Sequence, residues 1–324
     1  MHAGSDDRSF LSRVFRTLPK CLTLLCLWGL SVCLGQAQTY SGMLTWHNDL
    51  ARTGQNLQET VLTPTNVNYK TFGKLLSFPV DGQIFGQPLY VYNVAIPGKG
   101  TYNVIYVTTE NDSVYAFDAD GVETTALWYD SFINPSKGIT PIPCADTGAK
   151  PCPFASVIGI TGTPVIDPGS GTLYLVAATK ENGKFVNRLH ALDITTGTEK
   201  FGGPVQIKAS VTGTGAGNNH GVVSLSAQHE SQRPGLLLLN GVVYIGWASF
   251  GDVAPFHGWV LGYGATSLAQ TAVFNSTPNG SDGGVWQSGA APSVDAAGNI
   301  YLITGNGTFD INTGGSDRGD SFLK

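Results

Sequence analysis

Short apolar runs alternate along this chain with stretches rich in Gly, Asn, Asp and Pro, and one apolar phrase returns four times. Asn103-Val-Ile-Tyr-Val-Thr-Thr109 is followed by Thr172-Leu-Tyr-Leu-Val-Ala177, Val242-Val-Tyr-Ile-Gly-Trp247 and Asn299-Ile-Tyr-Leu-Ile-Thr304. The anchoring tyrosines Tyr106, Tyr174, Tyr244 and Tyr301 are spaced by 68, 70 and 57 residues. A second series, Pro88, Pro164, Pro234 and Pro292, precedes the tyrosines by 10, 10 and 9 residues in the last three copies. In the first copy the gap is 18, which reads as a loop insertion at Ile96-Pro-Gly-Lys-Gly100. Self-similarity at such a period is the mark of a repeat architecture.

Each copy reads as β-strands. The first offers Leu89–Ala95, Val104–Thr109, Ser113–Phe117 and Leu127–Phe132, all β-branched or aromatic and divided by Gly, Asn and Asp. The second offers Pro164–Ile166, Leu173–Ala177, Arg188–Leu192 and Pro204–Ile207; the third, Gly235–Leu239, Val242–Gly246, Gly258–Gly262 and Thr271–Phe274. Four short strands per unit predict an all-β fold, a β-propeller of four-stranded blades at about 84–140, 158–210, 232–278 and 288–324. A sandwich or solenoid is the alternative, but a sandwich does not repeat its phrase at this period. The fourth copy is incomplete, since Ser321-Phe-Leu-Lys324 falls where its third strand begins. Propellers protect their strand edges. We therefore expect a piece of a longer propeller, or else a four-bladed closure in which Leu44 to Leu57 supplies the missing strand.

The first residues break this pattern. Arg8, Arg13, Arg16 and Lys20 precede an apolar run from Cys21 to Leu34, and small residues follow at Gly35 and Ala37. This is a signal peptide over residues 1–37. Its apolar run of about 14 residues is short of the roughly 20 that a spanning helix needs. A secreted or periplasmic chain with no transmembrane segment after cleavage is expected. The whole chain carries 18 Lys+Arg and 23 Asp+Glu. The leader takes four basic and two acidic residues with it, and the remainder is more acidic. With no basic cluster, nucleic acid and anionic lipid are excluded as partners. Cys144 and Cys152 remain, and in an oxidising compartment they form a disulfide pinning a loop between the first two blades. A metal site would need a second Cys or His pair, and none lies nearby.

Ala191-Leu-Asp-Ile-Thr-Thr-Gly-Thr-Glu-Lys-Phe201 resembles the Ala-x-Asp-x-x-Thr-Gly-x-x-x-Trp signature of quinoprotein propeller repeats, with Phe201 at the Trp position. Ala116-Phe-Asp-Ala-Asp-Gly121 with Trp128 is a looser copy. Tyr301-Leu-Ile-Thr-Gly-Asn306, followed by Arg318-Gly-Asp-Ser321, resembles a segment of the quinoprotein alcohol dehydrogenases. From Trp46-His-Asn-Asp49 through Arg52-Thr-Gly54, Val80-Asp-Gly82 and Gln87-Pro-Leu-Tyr90, the chain resembles a group of secreted bacterial proteins with such propellers.

The dehydrogenase resemblance implies pyrroloquinoline quinone (PQQ) on the propeller axis, stacked between a tryptophan and a vicinal disulfide, with calcium held by Glu and Asn oxygens. By motif Asn306 matches the calcium-ligand Asn, Asp252 lies near the family's Glu without aligning cleanly, and Trp286 is placed to stack on a flat cofactor. The chain departs from the family in having no adjacent Cys-Cys pair, and the family's catalytic Asp belongs to a later blade.

Other polar residues admit two readings. His220, His229, Glu230 and His257 form a metal or proton-transfer site at the central mouth, or they satisfy turn backbone groups. Trp46, His47, Asn48, Asp49 and Arg52 line a pocket, or they form a closing element with Arg52 paired to Asp49. Trp286 stacks on a ligand or docks between blades. The Gln287-Ser-Gly-Ala290 context lacks a nucleophile elbow, and Gly213-Thr-Gly-Ala-Gly217 lacks the Lys-Ser/Thr of a P-loop. The leading expectation is an extracellular binding or interaction propeller for a protein, glycan or small molecule. The alternatives are a PQQ- and calcium-dependent dehydrogenase of alcohols or sugars, and an outer-membrane assembly scaffold.

Overall fold

The computed structural model of the chain describes residues 39–152 and 156–324. The leader read at residues 1–37 lies outside the described residues. Among the described residues, regular structure is almost wholly antiparallel β, with four 3-10 helices of three or four residues. No helix among them is long and apolar enough to cross a membrane.

Each copy of the repeated phrase is the second strand of its own antiparallel sheet. The first sheet runs Leu89–Ile96, Gly100–Thr108, Ser113–Asp118 and Trp128–Ser131, with Ser41–Met43 added beside Leu89–Ile96. The second joins Val165–Asp167, Thr172–Glu181, Lys184–Asp193 and Val205–Gln206. The third joins Leu237–Leu239, Val242–Trp247, Trp259–Gly264 and Gln270–Asn275, and the fourth Ser293–Val294, Ile300–Ile303 and Phe322–Leu323. Asn-Gly pairs close two of the hairpins. Asn182 and Gly183 have φ of 50° and 83°, and Asn240 and Gly241 have φ of 50° and 74°. Positive φ at both central residues is what a two-residue turn requires, and Asn-Gly supplies it at least cost.

Three features differ from the sequence-based expectations. The insertion read at Ile96–Gly100 is more than a loop: residues 97–99 turn, and the strands on both sides lengthen into one hairpin, with a register irregularity between Val91 and Val94. Short pairings of Ile139–Pro143 with Val157–Ile158, and of Ser210–Thr212 with Val222–Ser224, lie in stretches read as irregular. Their two or three residue pairs are too few to leave a period in the sequence. Residues 44–57 form no strand; the pairing strand lies just before them, at Ser41–Met43.

The second sheet is buried on both faces, and this organises the core. Along Thr172–Glu181, Leu173, Leu175 and Ala177 pack into one cluster with Val91, Val104, Tyr106 and Trp128 of the first sheet. Tyr174 and Val176 point the other way, into a cluster with Val243, Ile245, Trp247, Trp259 and Leu261 of the third. A strand's side chains alternate faces, so a near-continuous apolar run serves two cores at once.

The tyrosine of the phrase ties neighbouring sheets together. Tyr106, 2% exposed, donates its hydroxyl to Ile194 O at 2.9 Å, and Tyr174, fully buried, donates to Ala265 O at 3.0 Å. Ile194 and Ala265 hold equivalent places, each just after the third strand of the following sheet. The Trp128 indole N–H reaches the same Ile194 carbonyl at 2.9 Å. Tyr301 belongs to the fourth copy, yet its hydroxyl bonds the exposed Asp295 carboxylate at 2.8 Å.

Cys144 and Cys152 are joined in a disulfide. Cys144 is fully buried among Ile142, Ile158, Ala178 and Phe250. Opening this short loop by a double Cys→Ser replacement should cost about 2–3 kcal/mol of stability. Tyr174→Phe should cost about 1–2 kcal/mol by stranding a buried carbonyl, against less than about 0.5 kcal/mol for Tyr301→Phe. Urea unfolding of the three variants measures these losses; equal losses for the two tyrosines would contradict the latch.

Candidate functional site

Just before its first strand, each sheet has a lead-in segment: residues 83–88, 159–164, 229–236 and 283–292. Proline ends the apolar-poor part of each. These segments lie against the ends of the second strands. Glu110 N–H donates to Gln83 O at 2.9 Å, Ile160 N–H to Thr109 O at 3.2 Å and Val285 N–H to Trp247 O at 2.9 Å. Ser231 and Ala248 exchange both bonds, and Gly305 N–H donates to Gly284 O at 2.8 Å. Backbones approach closely enough that Gly162 is obligatory: a Cβ there would lie 2.6 Å from Pro234 O.

Segment 44–52 stitches these lead-ins into a circuit. Gln87 N–H donates to Thr163 Oγ1 at 3.0 Å, Leu236 N–H to Thr163 O at 2.9 Å and Gly235 N–H to Ala290 O at 3.2 Å. Arg52 Nε donates to Pro292 O at 3.0 Å, and His47 N–H returns to Gln87 Oε1 at 3.2 Å. Arg52 is the knot. Its Nη1 reaches Thr45 Oγ1 at 2.8 Å, Trp46 O at 3.0 Å and Asp49 O at 3.2 Å, and burial lowers its pKa to about 10 against the opposing pull of Asp49. The expected Arg52–Asp49 carboxylate pair does not form. The guanidinium takes the Asp49 carbonyl, because the carboxylate turns to the Thr53 amide and hydroxyl. Trp46 and His47 stack with ring centroids 3.5 Å apart.

Three carboxyl groups are buried where lead-ins meet strand ends. Glu110 Oε2 accepts from Gly159 N–H at 2.7 Å and Thr161 Oγ1 at 3.1 Å, while Oε1 has no partner. Asp112 accepts from Ala178 N–H at 3.2 Å and also has one orphaned oxygen. Burial pushes Glu110 up to about 7 and Asp112 well above the ordinary carboxylate range, and the neighbouring Glu110 raises Asp112 further. Glu230 accepts from His257 N–H and Trp259 Nε1, both at 2.9 Å, and from Ser226 N–H. Burial raises it to about 8, although those three donors favour its ionised form. None of the three was singled out from sequence as a buried acid. Glu110-Asn-Asp112 sits in a turn, where polar residues read as solvated, and only the three-dimensional closure of the neighbouring lead-in buries them.

The sequence-picked residues fall into two groups. Trp286, half-buried, lies over Gly305: a Cβ on that glycine would meet the indole Cδ1 at 2.6 Å. Gly283 N–H donates to Asn306 O at 2.7 Å, so Trp286 and the exposed Asn306 share one backbone neighbourhood. Phe256 meets the Trp286 ring edge-on at 6.4 Å. Asp252 is exposed on the turn that leads to Phe256, with φ of 57°. His257, 2% exposed, has both ring nitrogens engaged, with Thr277 Oγ1 at 2.9 Å and Ala216 O at 2.8 Å. It serves the backbone of its loop, while His220 stands exposed on a turn. Among the described residues, no three His, Cys, Asp or Glu side chains are grouped to hold a metal ion.

No protein-family model and no curated protein matches the chain. Among solved structures it is similar to the quinohemoprotein alcohol dehydrogenase ADHIIG of Pseudomonas putida HK5, with TM-score 0.53 and 16% identity over 82% of this chain and 35% of that one. It also matches the quinohemoprotein alcohol dehydrogenase of Comamonas testosteroni (TM-score 0.49, 18% identity, 85% and 36% covered). A europium-containing methanol dehydrogenase gives TM-score 0.43, 14% identity and coverage of 73% and 32%. The first match shows a likeness of fold. This chain spans about a third of the length of those structures.

The buried acids set a pH dependence. Their folded-state values lie above the unfolded ones, so between about pH 4.5 and 8 the folded chain binds more protons than the unfolded chain, and stability falls as pH rises through that window. Glu230→Gln and Glu110→Gln should each flatten this slope. Urea unfolding near pH 5 and near pH 8 checks it; stability that rises toward pH 8 would contradict it.

Proposed function

We propose that the four sheets are successive blades of a β-propeller, and that the chain is an extracellular or periplasmic module that binds its ligand where the lead-in segments meet. The observation that carries the ligand site is Trp286, a half-buried indole laid on Gly305 beside the exposed Asn306. A rigid aromatic plane next to a free amide suits a flat or sugar-like ligand: stacking supplies area and the amide supplies hydrogen bonds. The radial stacking of sheets by shared cores, the circuit through segment 44–52 and the likeness in fold support the propeller reading. The leader-like N-terminus and the disulfide support secretion.

A second reading is a PQQ- and calcium-dependent dehydrogenase, supported by the shared fold and by Asn306 standing beside Trp286. Trp286 fits one face of a flat cofactor. The other face and the ion do not fit. Cys144 of the disulfide is wholly buried in an apolar cluster, so it offers no lid for a ring system. Asp252 and Asn306 bring two oxygen-bearing side chains on separate exposed loops, against the six or more oxygens that calcium takes. We therefore derive no step through the quinone.

Calorimetric titration with PQQ, with and without calcium, separates the readings. A binding module shows no calcium-dependent heat, and Trp286→Ala weakens any flat ligand by roughly tenfold. Heat that requires calcium and is lost in Asn306→Ala overturns the binding-module reading in favour of the dehydrogenase.

A further inference from the structure

The third copy of the phrase departs from the latch. Tyr106 and Tyr174 each reach a carbonyl of the next sheet, but the Tyr244 hydroxyl has no hydrogen-bond partner among the described residues. Its side chain is half-buried, where the other two are buried. Beside it, between the third and fourth sheets, lies an open cleft of about 260 Å³. The cleft is lined by Val260 and Phe274 of the third sheet and by Ile300, Leu302 and Leu323 of the fourth. Between the first and second sheets, and again between the second and third, the corresponding space is packed core. The same construction that is closed twice by protein is open here, with its apolar walls in contact with solvent.

The cleft also carries unmatched positive charge. Arg318 and Lys324 complete its lining. Elsewhere between the sheets, ionisable side chains are matched by carboxylates. Arg188 and His190 stand six and four residues before Ile194, where Trp259 and Leu261 stand before Ala265. Arg188 makes a two-pronged pair with Glu181, each bond at 2.8 Å, and His190 Nδ1 meets Glu199 Oε1 at 2.5 Å. Among the described residues, neither Arg318 nor Lys324 forms an ion pair. Arg318 spends Nη1 on the Ser316 carbonyl at 2.5 Å, and its Nε and Nη2 have no partner. Asp317, its neighbour in the chain, is buried and accepts from the Asn279 N–H at 3.0 Å instead.

We propose that this cleft binds a short alkyl carboxylate, a medium-chain fatty acid. The guanidinium has two nitrogens free in a planar fork that matches a carboxylate, and it keeps its charge at any working pH. The Tyr244 hydroxyl adds a further donor. Burying the alkyl tail against both sheets removes apolar surface from water on the ligand and on the cleft together. The volume lies just below the range of about 300–1,000 Å³ usual for drug-sized ligands, which favours a single short chain. Neither Trp286 nor Asn306 lines this cleft, so the proposal does not rest on the reading given to those residues.

The experiment is calorimetric titration of the folded chain with octanoate, using 1-octanol as the neutral probe of equal length and acetate as the head without the tail. Octanoate should bind one to one, octanol at least tenfold more weakly, and acetate not at all. Arg318→Gln should weaken octanoate at least tenfold and leave octanol unchanged. Ala272→Trp fills the cleft from an exposed position on the outer strand of the third sheet, and it should abolish binding of both. Native circular dichroism and an unchanged unfolding midpoint of Ala272→Trp ensure that affinity alone is compared. Absence of octanoate binding, equal binding of octanol, or undiminished affinity in either variant overturns the proposal. A chain that sediments as a dimer until Ala272→Trp is introduced gives the cleft to a second copy and overturns it as well.

Discussion

The fold depends on one hydrogen bond made twice: the tyrosine in the middle of the repeated phrase donates across to the carbonyl that follows the third strand of the next sheet. Face-to-face packing of sheets is otherwise non-directional, because apolar area is indifferent to small slides and rotations. A hydroxyl at 2.9–3.0 Å from a fixed carbonyl removes that freedom. The carbonyl is presented by a turn in both cases, so the latch fixes the sheet edge as well as the face. Trp128 strengthens the first latch by donating to the same Ile194 oxygen. The phrase recurs because Tyr is the residue that can fill the inter-sheet core with its ring and still reach a polar group at its rim.

The lead-in segments crowd against one another and against the strand ends, and the consequences of that crowding explain the polar groups buried there. Side chains there give way to backbone, as at Gly162 and Gly305, and the exposed amides and carbonyls must find partners. Thr163 takes two of them, one from each side, and Arg52 makes four hydrogen bonds through Nε and Nη1, to three carbonyls and a hydroxyl that no strand satisfies. Glu110 plays the complementary part by accepting the Gly159 N–H of a lead-in, and Glu230, itself in a lead-in, accepts the N–H groups of His257 and Ser226. The acids are buried because they solve a backbone problem, and their raised affinity for protons follows from that burial.

The strands were legible in the sequence because each sheet carries its pattern locally: β-branched runs, Asn-Gly turns and a phrase that repeats. The continuous apolar run at Leu173–Ala178 even foretells burial on two faces. Residues that act through closure of the whole left no such mark. Glu110 and Asp112 look like an ordinary turn, and segment 44–52 looks like a strand candidate because Leu44 and Leu50 are apolar. Arg52 and Asp49 have the spacing of an ion pair, yet the Asp49 carboxylate takes the amide and hydroxyl of Thr53, one residue further along. Asn306 was found by motif and Trp286 by its glycine-rich loop, and their common neighbourhood rests on the Gly283–Asn306 and Gly284–Gly305 backbone bonds that no spacing rule contains.

Internal repetition provides a control that a single sequence otherwise lacks. Where one sheet does a structural task with apolar residues and its neighbour does it with ionisable ones, the difference cannot be assigned to the fold. Trp259 and Leu261 demonstrate that the positions of Arg188 and His190 can be closed by core. The second sheet retains a guanidinium–carboxylate pair and a carboxylate–imidazole pair there, with one ring nitrogen left bare in a region where bare polar atoms are costly. A shared fold leaves such positions undetermined. Positions where the repeats of this chain disagree with one another are thus set by something other than the packing they share.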